Sequence, residues 1–439
     1  MRLISTLQKK LEKLRKPDKF SYMYHSYFDI ESITPSSQAS GVKKLAKYRQ
    51  QVTEVVSKRD DKKPEYSLAH IKSPELHDTI DAIKKQFKGI EHLVLVGIGG
   101  SNLGTEAIHS ALDTGNVKLH TLDTVSAHDI EELIQTLKPI KSPKKLAICV
   151  ISKSGNTTET LVNAGVLLTA LKKKFDKAIY GRTIFIGNEG TEFMRAGKRL
   201  GVTLVRMPSI VGGRYSVATE VGLVPLALLD HDTDSYIAGV LDSTVDEFES
   251  LVADNAVRLH HYMQKNFTHY NFFAFEKRLA KLGAWYRQLF AESIGKELDR
   301  EKKPVTKGFL HTISTPVELH SVGQLYLSGF AGVYTDFVTF DDDSIDFDIP
   351  KTGVAKTFGK FEVQEIATAI YGGVMGAYQE RSLPYRSTIF DEDLPYSLGL
   401  FMGMRMLETM YLAELMNLNA FDQPNVELYK EKTRNILGL

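Results

Sequence analysis

The sequence predicts a doubly wound α/β fold. From about residue 90 onward, short apolar runs rich in valine and isoleucine alternate with segments of helical periodicity. Runs of this length and composition are typical of parallel strands buried on both faces. The strand candidates in the first half are residues 92–97, 117–122, 146–151, 183–187 and 203–206. Such strand–helix alternation favours a sheet with helices packed on both sides.

Length and charge narrow the class of protein. The chain has 439 residues, and its 55 lysines and arginines against 54 acidic residues give a net charge of +1. This length predicts two or three domains. The balanced charge excludes a protein that holds nucleic acid by neutralising many phosphates, although a local anion pocket remains possible.

The cysteine content and the apolar segments narrow the class of protein further. Cys149, the only cysteine, excludes an intramolecular disulfide and any multi-cysteine metal site. It lies in an apolar run, so we expect it to be buried and inert. No leader peptide or apolar segment of ~20 residues is apparent. We therefore expect a cytoplasmic protein with no membrane partner.

The remaining segments suggest how the chain is organised. Strand candidates return more weakly at 270–275, 309–313 and 333–340, and residues from 362 onward are mainly of helical pattern. Four leucines at helical spacing predict an amphipathic arm near the start: Leu3, Leu7, Leu11 and Leu14. The predicted division is a helical arm (1–50), a first α/β domain (51–215), connecting helices (216–265), a second α/β domain (266–400) and a helical tail (401–439).

Two polar segments are expected to be solvent-exposed. Residues 296–307 have almost no apolar content and contain a proline, which is typical of an exposed loop. The three aspartates at 341–343 could suggest a metal site. We expect a solvated turn instead, because no histidine or second carboxylate cluster lies nearby at ligand spacing.

A glycine-rich loop directly follows the first strand candidate. The stretch 96–104 contains Gly97 and Gly99 in the spacing of a dinucleotide fingerprint, but Asn102 occupies the third glycine position. Asp123, at the end of the next strand, could still bind the ribose hydroxyls of a dinucleotide. The alternatives are a turn that directs backbone amides and the Ser101 hydroxyl at a phosphate, or a turn needed only for strand-to-helix packing.

A second loop is rich in hydroxyl groups. Residues 152–158 supply Ser152, Ser154, Thr157 and Thr158 between a buried strand and a helix, and Lys153 adds one positive charge. A single helix cap would need one hydroxyl rather than four. The loop also lacks the GxxxxGK[ST] spacing of a nucleotide-binding loop. These features favour a phosphomonoester as the ligand.

Four later residues are candidates for chemistry, each with a simpler alternative. Arg214 follows two glycines at the head of an apolar helix and could face an anion. Glu292 lies in an apolar helical stretch, where a partly desolvated carboxylate would suit a general base, although the pattern alone favours a solvent-facing glutamate. Taken alone, His320 and Lys430 are typical of an ordinary core or surface histidine and a solvated helix lysine.

The order of the motifs is more informative than any one of them. GIGGS, SKSGNTTE, GGRYS, QLFAESIGK, ELHSVGQ and FDQPNVELYK occur in this sequence from residue 97 to residue 430. Together they resemble the glucose-6-phosphate isomerase family, in its shorter bacterial form. The resemblance extends from about residue 90 to the C-terminus, and AESIGK and DQPNVE are its most specific parts.

The resemblance implies two flavodoxin-like sugar-isomerase (SIS) domains with helical extensions at both ends. It implies reversible aldose–ketose isomerisation of glucose 6-phosphate to fructose 6-phosphate through a cis-enediolate, in glycolysis and gluconeogenesis. No metal or other cofactor is expected. A homodimer is implied, in which His320 is lent by the partner subunit.

The family's functional positions can be matched residue by residue. Glu292 would be the general base, Arg214 would face the enediolate, and His320 with Lys430 would open the sugar ring. The phosphate would lie on Ser101, Ser152, Ser154 and Thr157, with Gln423 nearby. Gly100 and Gln288 would line the sugar site.

Departures from the family pattern are few. Asn156 replaces a frequent threonine and Asn425 a common glycine, and the 296–307 loop is longer than usual, which makes His311 a rival of His320.

The alternative functions are a non-catalytic sugar-phosphate-binding protein, an isomerase of broader hexose-phosphate specificity, and an NAD-dependent dehydrogenase. The presence of Glu292, His320 and Lys430 favours an enzyme over a sensor.

Overall fold

The computed structural model describes residues 23–29, 33–112, 117–340, 345–390 and 393–438. Its strands form two five-stranded sheets. The strands are β1 (Met23–Phe28), β2 (His92–Val96), β3 (Lys118–Leu122), β4 (Leu146–Ser152), β5 (Thr183–Gly187), β6 (Thr203–Arg206), β7 (His269–Ala274), β8 (Leu310–Ser314), β9 (Val333–Phe340) and β10 (Tyr385–Phe390).

Helices cover both sheets and link them. They are α1 (Pro35–Lys58), α2 (Pro74–Gln86), α3 (Leu103–Leu112), α4 (Ala127–Leu137), α5 (Thr158–Phe175), α6 (Glu192–Leu200), α7 (Glu220–Leu228), α8 (Thr233–Asp242), α9 (Asp246–Gln264), α10 (Ala280–Ile294), α11 (Gly323–Leu327), α12 (Val363–Glu380), α13 (Leu394–Leu415) and α14 (Glu427–Leu437). Among the described residues, none of these helices is long and apolar enough to cross a bilayer.

The first sheet confirms the predicted doubly wound fold. Its order is β3-β2-β4-β5-β6, and every neighbouring pair is parallel. Renumbered from its own first strand, this is the flavodoxin-like order 2-1-3-4-5. The strand order reverses between β2 and β4, which are parallel neighbours and in which Val96 pairs with Val150. A crevice therefore opens at the carboxyl ends of these two strands, which is where open α/β sheets bind ligands.

The second sheet repeats the order of the first four strands, and its fifth strand is antiparallel. Its order is β1-β10-β9-β7-β8, with β7 to β10 parallel and β1 antiparallel at the edge. The expectation of a purely helical arm over residues 1–50 is therefore wrong, because residues 23–28 pair with β10. The four leucines at 3–14 lie outside the described residues, as do the aspartates at 341–343.

The expectation of mainly helical structure after residue 362 also missed β10. Arg386 gives this strand a polar character in the sequence, yet the side chain is buried in a group of four compensating charges. Its guanidinium contacts Asp336 at 3.0 Å and Glu408 at 2.6 Å, and Arg405 pairs with Asp336 at 2.8 Å. Burial of a charge requires such pairing, and the partners come from distant parts of the chain.

Two predicted domain boundaries fall inside helices. The boundary at residue 50 lies within α1, and the boundary at residue 400 lies within α13. The connecting region 216–265 contains α7, α8 and α9. Helix α13 is buried from Tyr396 to Ala413 and packs against α8, α9 and α10. This helical layer connects the two sheets and fixes the position of α10.

Cys149 is fully buried in β4, as predicted, and burial raises the pKa of its thiol.

Candidate active site

The two polar loops predicted from the sequence meet at the crevice of the first sheet. One follows β2 and the other follows β4, and these strands are hydrogen-bonded neighbours. The glycine loop does not end in a dinucleotide-type glycine. Its buried Asn102, just before α3, instead donates a hydrogen bond to Glu106 in the first turn of that helix at 2.7 Å.

A third loop packs directly on the glycine loop. A Cβ atom at Gly100 would lie 2.1 Å from the carbonyl carbon of Gly213 and 2.7 Å from the amide nitrogen of Arg214. Any larger residue at position 100 would therefore push the two backbones apart. Ser216 reinforces the contact by donating to the Gly100 carbonyl at 3.3 Å. The close approach directs Arg214 toward the crevice.

Arg214 is buried and uses all its hydrogen-bond donors. Nε donates to Ser293 Oγ at 2.8 Å, and Nη1 donates to Glu292 Oε2 at 3.2 Å and to Gln423 Oε1 at 2.7 Å. Nη2 donates to the carbonyls of Ala420 at 2.6 Å and Asp422 at 2.9 Å. The planar guanidinium has five N–H groups, so this geometry satisfies it completely. One side chain thus joins the third loop, α10 and the 420–423 segment.

Glu292 lies on the polar face of α10. Its apolar neighbours Leu289, Phe290 and Ile294 are buried in the core, whereas its own side chain is 31% exposed. The carboxylate accepts hydrogen bonds from Arg214 and from Gln288 Nε2, the latter at 3.0 Å. The solvent-facing interpretation that the sequence pattern favours therefore describes this carboxylate better than a desolvated pocket. The carboxylate faces polar donors and an open crevice.

Gln288 has an unused acceptor at this position. Its Oε1 atom is buried and has no hydrogen-bond partner among the described residues. Buried acceptors are normally paired. Since the amide group also touches the glycine loop at Gly99, a ligand hydroxyl between the loop and α10 is a suitable partner.

Sequence reasoning assigned no role to Lys296. Its side chain is nearly buried, and Nζ donates to the Glu292 carbonyl at 2.6 Å and pairs with Asp422 Oδ1 at 3.1 Å. Burial lowers the pKa of this lysine. It forms a second link between α10 and the 420–423 segment. The signal was available, because Lys296 ends the AESIGK motif.

The hydroxyl-rich loop presents its groups toward the crevice rather than using them for capping. Ser152 is buried and donates to Thr157 Oγ1 at 3.2 Å. Thr157 is the N-cap residue of α5, but its side chain makes no capping hydrogen bond. Ser154 donates to Asn156 Oδ1. The Thr157 side chain therefore leaves the first-turn amides of α5 available to another acceptor, and a helix end of this kind suits an anion.

Lys153 belongs to the same electrostatic environment. Burial, with a smaller effect from the Arg214 cation, lowers the pKa of its ammonium group. Two cations that repel each other across a crevice favour an anionic ligand between them.

Within the single chain, His320 and Lys430 do not contact the Arg214–Glu292 pair. Among the described residues, neither makes a hydrogen bond or ion pair with Arg214 or Glu292. His320 is exposed after β8, and Lys430 Nζ pairs with Glu427 Oε1 at 2.7 Å on α14. The rival His311 is buried between the Tyr270 ring at 4.5 Å and the Phe290 ring at 4.2 Å, remote from solvent.

Comparison with known proteins identifies one family. The family model described as phosphoglucose isomerase matches residues 2–340. A glucose-6-phosphate isomerase of Thermus thermophilus is 31% identical over 391 residues, covering 85% of this chain and 91% of its own.

Two crystal structures are similar in fold. A Thermus thermophilus protein described as hypothetical superposes with a TM-score of 0.81 at 28% identity, covering 92% of this chain and 97% of that one. A glucose-6-phosphate isomerase of Chlamydia trachomatis superposes with a TM-score of 0.79 at 16% identity, covering 97% of this chain and 90% of that one.

The two mainly parallel sheets and the polar crevice between β2 and β4 define a doubly wound α/β protein. The match over residues 2–340 then specifies the family. The chain belongs to the phosphoglucose isomerase family, whose reaction is the interconversion of glucose 6-phosphate and fructose 6-phosphate. This membership disfavours the dehydrogenase and the non-catalytic sensor.

Proposed function

We propose that the chain performs this isomerisation with Glu292 as the base and Arg214 as the electrophilic partner. The observation that carries the proposal is the contact between Arg214 Nη1 and Glu292 Oε2 at 3.2 Å beside the crevice. Moving a proton between neighbouring carbons requires one carboxylate that reaches both. Glu292 takes the proton from C2 of glucose 6-phosphate and returns it to C1.

Arg214 stabilises the negative charge that develops on the enediolate oxygen. Nη1 now donates to Glu292 and Gln423, so an oxygen bound there replaces one of these acceptors. The bonds from Nε and Nη2 keep the guanidinium in place during the exchange. Such preorganised donors typically contribute about 10²–10³ in rate.

The phosphate binds where the two loops meet α5. The set consists of hydroxyl groups, amides and one ammonium group: Ser101, Ser152, Lys153, Ser154 and Thr157. The Thr157 hydroxyl accepts from Ser152 but caps no amide of α5, and the helix end that it leaves uncapped supports this assignment. Gly100 and Gln288 line the sugar. Binding energy from the phosphate, remote from the reacting carbons, orients C1 and C2 toward Glu292.

Ring opening needs a proton moved from the anomeric hydroxyl to the ring oxygen, and His320 with Lys430 performs it. Within the dimer, His320 comes from the partner subunit. The surface around His320 supports this arrangement. Three exposed apolar residues flank it in the chain: Val317, Val322 and Leu325. An apolar surface of this kind is typical of a subunit interface.

The enzyme is proposed to act as a cytoplasmic homodimer without metal. A coupled assay of fructose 6-phosphate conversion tests the residue roles. Glu292→Gln should abolish turnover and retain binding of inorganic phosphate, whereas Glu297→Gln, the next acidic residue and an exposed one, should leave turnover unchanged. Near-normal turnover in Glu292→Gln contradicts the assignment. Loss of activity in EDTA would contradict the metal-free mechanism.

A further inference from the structure

A cleft of about 570 Å³ lies beside the segment that Arg214 holds. It is lined on one side by α1 and residues 63–65, and on the other by Arg300, Glu414, Asn419 and Phe421. Its volume is within the range of small-molecule sites, ~300–1,000 Å³. None of the residues assigned to isomerisation lines it.

The floor of the cleft contains a buried carboxylate with an unused oxygen. Glu65 is 2% exposed, and its Oε1 accepts hydrogen bonds from Tyr48 at 2.8 Å and Gln51 at 2.9 Å. Its Oε2 is buried without a hydrogen-bond partner among the described residues. Leaving a buried acceptor of this kind unpaired is costly, so the position favours a ligand that supplies a donor.

The mouth of the cleft carries cations that are free to bind an anion. Lys47 and Lys63 are exposed, and neither forms an ion pair in the part of the chain that the structure describes. Arg300, by contrast, is paired with Glu414 at 2.6 Å. Glu65 Oε2 is a buried acceptor, and Lys47 and Lys63 carry exposed ammonium groups. This combination favours a ligand with hydroxyl groups at one end and an anionic group at the other.

We propose that this cleft is a second ligand site that takes a small phosphorylated polyol. Its phosphate binds Lys47 and Lys63, and a hydroxyl donates to Glu65 Oε2. The ligand also contacts Phe421, whose ring packs on Tyr215 at 5.1 Å between the two carbonyls that Arg214 binds. The site therefore adjoins the support of the catalytic arginine.

Isothermal titration of the full chain with sn-glycerol 3-phosphate tests the site. Lys47→Met/Lys63→Met removes the cations at the mouth. Lys43→Met/Lys62→Met, with exposed lysines on the same two segments outside the cleft, is the matched control. We expect the wild type and the control to show one binding event more than the cleft variant, with kcat the same in all three.

Two results would overturn the proposal. One is identical binding by the cleft variant and the control, which would show that the lysines hold no ligand. The other is inorganic phosphate binding at this site as tightly as sn-glycerol 3-phosphate, which would remove the role of Glu65. If binding at the catalytic site were absent from the wild type and from both variants, the proposed function would be at fault instead. The two failures are therefore distinguishable.

Discussion

Arg214 Nη1 donates a hydrogen bond to Glu292 Oε2 across 3.2 Å, although the arginine is buried and the glutamate is partly open to solvent. The cation is held rigidly from behind by Ser293 and two backbone carbonyls. The carboxylate is held by its helix and by Gln288. A fixed cation beside a reachable base is the arrangement that enediolate chemistry requires.

Arg214→Lys should retain the charge and lose the geometry. Lysine has three donors on one atom and cannot bind five acceptors from two chain segments. We expect kcat to fall by about 10²-fold or more and the melting temperature to decrease, because the Ala420 and Asp422 carbonyls lose their partner. Steady-state kinetics and thermal unfolding measure both effects. Arg287→Lys, on the exposed face of α10, is the control, and a normal kcat in Arg214→Lys would count against the role of the guanidinium.

Mixed dimers test whether His320 acts across the subunit interface. Glu292→Gln and His320→Ala chains should each form inactive dimers. A hybrid of the two contains one site with both native residues, so we expect about half of the wild-type activity per hybrid dimer in a symmetric assembly. Hybrids can be isolated with two affinity tags. Inactive hybrids would show that His320 serves the site of its own chain.

Acid stability should depend on His311. Burial lowers the pKa of this histidine to about 3, so the neutral ring is the folded form. The unfolded chain binds a proton near pH 6.5, and stability therefore decreases as the pH falls from about 6.5 toward 3.

His311→Phe should reduce the dependence of the unfolding free energy on pH between about 4 and 6, measured by denaturant titration, while His25 and His231, whose pKa values burial also lowers, retain the rest. His128→Phe, at an exposed position, should leave that dependence unchanged. The same His311→Phe variant should keep its kcat, because His311 is not the ring-opening residue. A large loss of kcat with unaltered acid sensitivity would reverse this assignment.

The buried charges beside β10 should be interdependent. Arg386→Met leaves Asp336 and Glu408 with one cation between them, at an expected cost of about 3–5 kcal/mol in unfolding free energy. The double variant Arg386→Met/Asp336→Leu restores the charge balance, so its cost should be well below the sum of the single changes. Denaturant titrations of all three variants provide the comparison. Simple additivity would mean that the four charges do not act as a group.

The first sheet and its loops were predictable because their signals are local. Strand β4 and its hydroxyl-rich loop occupy consecutive residues, and so do β2 and the glycine loop. Strand β1 was missed because its partner β10 lies at the other end of the chain. Strand β10 was missed because the burial of Arg386 depends on Asp336 and Glu408, which no local pattern reveals.

In the candidate site too, local signals were predictable and contacts between distant residues were not. The motif order indicated Arg214 and Glu292, and the structure brings them together. Local patterns could not show that Arg214 binds the Ala420 carbonyl, 206 residues away, or that Lys296 links α10 to the same segment. The pattern favoured a solvent-facing Glu292, but it could not show that Arg214 and Gln288 would be its partners.

Solvent exchange at the sugar carbon tests the central claim most directly. When glucose 6-phosphate is equilibrated with the wild-type enzyme in deuterium oxide, the C2 hydrogen should be replaced by deuterium, as followed by proton NMR. With Glu292→Gln, exchange should be abolished while inorganic phosphate still binds. Exchange at the wild-type rate in Glu292→Gln would contradict the account, because another group would then be moving the proton.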